Sequence, residues 1–117
     1  MIPPNKLKLC LSGKPYEAYL ETHGIYTLQN FYANDLPVWK QITGKHAIWY
    51  SEPCNHWCVS RCRDFGSETF MIIGPRNIKC YPNNIIECWS YLYDGTLLLD
   101  DEENIQFTIE SRFDQSI

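Results

Sequence analysis

Cysteine and histidine are densest between residues 54 and 62, where Cys54, His56, Cys58 and Cys62 crowd into one short stretch. Thiolate and imidazole are the donors zinc prefers, but a structural zinc site needs four of them converging tetrahedrally, commonly as close Cys-x-x-Cys pairs. That spacing is absent here. In an extended segment Cys58 and Cys62 share a face but stand roughly 13 Å apart at about 3.3 Å per residue, too far to hold one ion. The stretch therefore reads as buried or half-buried thiols, and zinc held by Cys54, His56, Cys58 and Cys62 remains the alternative. A cysteine nucleophile needs a base and a group that orients it. His56 can reach Cys54 or Cys58 across a turn, yet no acid lies near it in sequence. His23, His46 and His56 all fall beside turn signals, where a solvated imidazole is the ordinary outcome. No catalytic residues, metal or cofactor are assigned on these grounds.

Asp100-Asp101-Glu102-Glu103 is the one strong charge run. It lacks the alternating acids and the glycine of a calcium loop, so it reads as a solvated turn that can also meet a basic partner. The aromatics offer a different chemistry. Four Trp, eight Tyr and five Phe make up 15% of the chain, and exposed rings stack on sugars or anchor protein partners. Trp39, Trp49, Tyr50 and Trp57 are the binding candidates. Each large ring buries about 150–250 Å², worth several kcal/mol at ~25 cal/mol/Å², so only a minority is expected to stay exposed.

Charge narrows the partners. The 117 residues carry a net charge of −4. Residues 1–63 hold seven Lys/Arg against four Asp/Glu, 7 − 4 = +3, and residues 64–117 hold three against ten, 3 − 10 = −7. An acidic chain without a Lys/Arg cluster in sequence argues against nucleic acid, because phosphate neutralisation needs several cations on one surface. No segment is long and apolar enough to span a membrane. Lys6 and Lys8 precede or interrupt an apolar run ending at Leu11 that is too short for a leader core. The six cysteines are accordingly expected to be reduced and mostly buried in a cytoplasmic protein; an extracellular chain with three disulfides is the alternative.

The elements that must position these residues are strands. Turn signals rich in Gly, Pro, Asn and Asp recur about every eight to twelve residues, the spacing of an antiparallel meander. Between them lie β-branched and aromatic runs at 25–32, 38–42, 47–51, 57–62, 69–73, 78–81, 88–93, 96–99 and 105–109. Ile105, Phe107 and Ile109 alternate with polar residues, as in a half-buried strand. Asp94-Gly95 between Tyr93 and Thr96 is a type I′ hairpin signal. Residues 16–22 suit one helical turn or an edge strand equally. The expectation is one all-β domain over 1–117, an antiparallel meander of about eight to nine short strands closing into a sandwich or partly open barrel, with a loose tail at 111–117.

Gly24-Ile25-Tyr26, Asn34-Asp35-Leu36-Pro37-Val38-Trp39-Lys40, Ile48-Trp49-Tyr50, Trp57, Trp89-Ser90-Tyr91 and Asp94-Gly95 form a pattern. Across about 24–110 it resembles an uncharacterised aromatic-rich β-module that recurs within larger proteins of unicellular eukaryotes and invertebrates. Asp35 stands where that module usually has glycine. The resemblance implies a shared architecture and neither an enzymatic activity nor a cofactor. The expected function is a non-enzymatic protein-interaction or structural module within a larger assembly. A carbohydrate-binding module is the second reading and the small zinc domain the third.

Overall fold

The computed structural model describes residues 2–12 and 20–110. They form a single nine-stranded antiparallel sheet that curls into a half-barrel. The strands are β1 (Lys6–Leu11), β2 (Gly24–Ala33), β3 (Leu36–Gln41), β4 (His46–Ser51), β5 (His56–Arg61), β6 (Ile72–Ile73), β7 (Ser90–Tyr93), β8 (Thr96–Leu99) and β9 (Ile105–Ile109). Their order across the sheet is β8-β7-β6-β5-β4-β3-β2-β1-β9. Every step but the last joins sequence neighbours, and β9 returns to pair with β1.

Local sequence chemistry sets the hairpins. Asp94 and Gly95 hold φ of 50° and 77°, closing Tyr93 against Thr96 in the expected primed turn. Asn34 and Asp35 do the same between β2 and β3, with φ of 56° and 66°. Asparagine and aspartate tolerate this left-handed region better than other side chains that carry a Cβ, so the turn forms without a glycine at either position. A register shift between Leu28 and Tyr32 bends β2 and helps the sheet to curl.

The concave face holds the main core. Leu7, Leu9, Tyr26, Trp39, Ile48, Tyr50, Trp57, Val59, Ile72, Trp89, Tyr91, Ile105 and Phe107 pack into one cluster. A smaller cluster of Val38, Ala47, Trp49 and Cys58 lies on the convex face, where Phe65 and Phe70 from the 62–71 segment lie against Trp49. Both faces of the central strands are thus covered, which explains why all six residues of β4 are buried.

Three departures from the sequence expectation have physical causes. Residues 6–11 form a central strand between β2 and β9; Leu7 and Leu9 face the core while Lys6, Lys8 and Cys10 alternate to the other face. Residues 78–81 form no strand. Instead the Trp57 Nε1–H donates to the Cys80 carbonyl at 2.9 Å, Tyr81 packs edge-on against Trp39 at 6.0 Å, and the chain turns into a 3-10 turn at Pro82–Asn84. Tyr81 and Ile85 of this segment pack against the main core cluster. Only Ile72–Ile73 of the expected 69–73 strand pairs with its neighbours. The tail at 111–117 lies outside the described residues, as do most of residues 16–22.

Candidate binding site

The four aromatic binding candidates, of which a minority is expected from sequence to stay exposed, are all core residues. Trp39, Tyr50 and Trp57 are fully buried and Trp49 is 2% exposed. Each indole has a partner in place of water: Trp39 Nε1–H donates to the Pro4 carbonyl at 2.8 Å and Trp49 Nε1–H to Ser60 Oγ at 2.9 Å. Trp57 packs against Trp39 at 5.8 Å and edge-on against Tyr50 at 5.6 Å. This corrects the expectation of an exposed minority among Trp39, Trp49, Tyr50 and Trp57, since the fold leaves none of the four outside; a domain of this size gains too much from burying such area to leave it in water. All four indoles, Trp89 included, lie inside, and the aromatic rings that stay exposed among the described residues are Phe31, Tyr32, Phe65 and Tyr93.

The cysteine and histidine stretch is likewise taken apart by the fold. Cys54 sits in the turn between β4 and β5, His56 and Cys58 alternate onto the convex face, and Cys62 opens a 3-10 turn. No three His, Cys, Asp or Glu side chains converge in a metal-holding group among the described residues. Burial pushes the Cys58 thiol far above its ordinary value, with the nearby Cys54 adding to the rise. The thiols are not mostly buried as a set: Cys58 is buried, Cys10, Cys54 and Cys62 are intermediate, and Cys80 and Cys88 are exposed.

Two histidines depart from the solvated expectation. His46 and His56 are only 3% and 7% exposed. His46 Nδ1 lies 3.0 Å from Gln41 Oε1, and its Nε2 faces Glu21 at 3.6 Å. Burial lowers its pKa, the Glu21 carboxylate pulls it back up and Arg61 opposes that. The His56 ring packs edge-on against Phe70 at 5.1 Å, and burial again lowers its pKa. Gln41 does the structural work around His46: its Nε2–H donates to the carbonyls of Glu21 and His23, and its Oε1 accepts the backbone N–H of His46 at 3.2 Å.

Exposed apolar side chains gather elsewhere, on the β7–β8 hairpin. Leu92, Tyr93, Leu97 and Leu99 are 37%, 41%, 53% and 61% exposed. Leu92 pairs with Leu97, so these two share a face, and Leu99 follows on that face two residues later. β8 is also an edge of the sheet. Tyr93 and Thr96 close a two-residue turn, and Asp100 N–H bonds the Trp89 carbonyl at 2.8 Å beyond the other end of the strand. The alternation of antiparallel pairing then turns the backbone groups of Leu97 and Leu99 toward the open edge. No charged residue interrupts Thr96-Leu97-Leu98-Leu99, although charge is a usual guard of exposed edges. Asp94 bounds the strand on one side and the exposed Asp101, Glu102 and Glu103 on the other.

Comparison with protein-family models, with curated proteins and with solved structures finds no match to this chain.

Proposed function

We propose that the protein is a non-enzymatic interaction module of a larger assembly, and that it takes up an extended strand of a partner protein along β8. The observation that carries this reading is the bare edge Thr96–Leu99, which joins unpaired backbone groups to an exposed leucine face. Strand addition uses these two features together: the backbone supplies affinity and alternate side chains supply specificity. The partner strand is apolar at alternate positions and carries Lys or Arg at its ends, because Asp94 and Asp101–Glu103 flank the groove. A second copy fits less well, since antiparallel β8–β8 pairing brings Asp94 of one copy beside the acid turn of the other and like charges oppose it.

The compartment belongs to the same proposal. Six unpaired cysteines, two of them exposed, suit a reducing cytoplasm.

The test is capture from the source cells with wild-type and Leu97→Lys/Leu99→Lys baits compared side by side. Partners held by the wild type and lost with the variant support strand addition at β8. Identical partner sets, or a strictly monomeric protein that captures nothing, overturn it.

A further inference from the structure

Four cations far apart in sequence meet on the fold. Lys40 of β3, Lys45 of the following turn, Arg61 at the end of β5 and Arg63 in the 3-10 turn line one open cavity of about 390 Å³. The sequence shows no basic cluster; the pairing of β3, β4 and β5 makes one. Glu21 lies 3.5 Å from Arg61, whereas no carboxylate stands within ion-pair distance of Lys40, Lys45 or Arg63 among the described residues. An acidic protein thus keeps three uncompensated positive charges around a single concavity.

Lys40 and Cys62 also line an adjoining cavity of about 220 Å³, walled by Phe31, Val38, Ala47 and Phe65. Phe31 and Phe65 are 46% and 42% exposed and meet edge-on at 6.1 Å. Phe65 rests on buried Trp49 at 4.9 Å, which fixes its position. An apolar aromatic slot therefore opens directly beside the cationic cavity.

We propose that the two cavities together bind a phosphate monoester carried on an aromatic ring, supplied by a phosphotyrosine side chain of a partner segment. Such a phosphate carries about −1.5 to −2 charge near neutrality and three strong acceptor oxygens. Arginine forks and lysine ammoniums satisfy those oxygens, while the ring takes the slot and packs on Phe31 and Phe65. The cations surround one cavity rather than following a groove, which suits a single phosphate better than a nucleic-acid strand, whose neutralisation needs a run of contacts. The site lies away from β8 and does not depend on strand addition there.

The test is calorimetric titration of the full chain with phenyl phosphate, inorganic phosphate, a glycine-phosphotyrosine-glycine peptide, adenosine monophosphate and a short oligothymidylate. Phenyl phosphate and the phosphotyrosine peptide are expected to bind about tenfold or more tighter than inorganic phosphate. Lys40→Glu/Arg63→Glu removes that binding with the thermal midpoint retained, and Phe31→Ala narrows the preference over inorganic phosphate without weakening the latter. Phe31 is half-exposed, so this variant keeps the test open if replacement of Phe65 disturbs folding. Leu97→Lys/Leu99→Lys leaves the titration unchanged, which separates failure of this site from failure of the β8 edge. Equal binding of phenyl and inorganic phosphate, no binding of either, or tighter binding of the nucleotide or oligothymidylate overturns the proposal.

Discussion

Trp89 and Phe107 stack with ring centroids 4.3 Å apart and planes inclined by 37°. Trp89 immediately precedes β7 near one end of the sheet, and Phe107 belongs to β9 at the other. The contact therefore bridges the two ends of the curl across the concave core. It also explains how a nine-stranded sheet buries one whole face without a covering helix.

Removing that bridge is costly. Trp89 and Phe107 are 4% and 6% exposed, and truncation of such a ring removes about 3–5 kcal/mol. Phe107→Ala is expected to lower the unfolding free energy from urea denaturation by that amount, with a lower midpoint, and to red-shift tryptophan emission as Trp89 meets water. An unchanged midpoint contradicts the bridging role.

Asp100 fastens the turn that brings β9 back. Its carboxylate accepts the backbone N–H of Asn104 at 3.1 Å and of Ile105 at 2.8 Å, and the residue is 4% exposed. Asp100→Ala leaves the buried N–H of Ile105 and the part-buried N–H of Asn104 without this acceptor, a loss of about 1–3 kcal/mol. Replacement of the exposed neighbour Asp101 by alanine is expected to change stability far less, within about 0.5 kcal/mol. Comparable losses in both variants contradict the anchoring role.

Stability is expected to depend on pH through His46 and His56. Both pKa values are lowered by burial in the folded protein, so the unfolded chain binds protons more readily. The stabilisation is complete above the unfolded value of about 6.5 and is lost as pH falls through the lower folded values. Chemical denaturation between pH 7.5 and pH 5 should show declining stability. In His56→Phe, which keeps the ring against Phe70, the decline should be shallower. A slope of the opposite sign contradicts the burial of these rings.

Thiol reactivity follows exposure. N-ethylmaleimide should label exposed Cys80 and Cys88 first and buried Cys58 last, whose thiol is held far above its usual range. After unfolding without reductant, all six should label. Three blocked pairs contradict the cytoplasmic proposal.

The sequence makes the architecture readable wherever local chemistry and pairing agree. Asp94-Gly95 sits in the structure as expected, and β9 alternates through buried Ile105 and Phe107, whereas Ile109 at its end is exposed. β1 alternates just as clearly through Leu7 and Leu9, but its lysines invite comparison with a leader, and a central strand is not evident until β9 is seen to return beside it. The 78–81 run has strand-like side chains, yet its Cys80 carbonyl goes to the Trp57 indole and its Tyr81 ring goes to Trp39. The binding surfaces are less legible. Which aromatics stay exposed depends on strand order, and that order buries Trp39, Trp49, Tyr50 and Trp57 while leaving Phe31 and Phe65 outside. Lys40, Lys45, Arg61 and Arg63 cluster only through the register of β3, β4 and β5. The leucines of β8 read as a strand, and only its position at the edge of the sheet makes them a surface.

Amide hydrogen exchange, followed by mass spectrometry on the protein alone and on the complex captured from its source cells, tests strand addition most directly. Partner binding should slow exchange across Thr96–Leu99, at the amides of Leu97 and Leu99 above all, with little change in β9. Unaltered exchange in β8, with protection confined to other strands, would contradict the assignment of the partner to this edge.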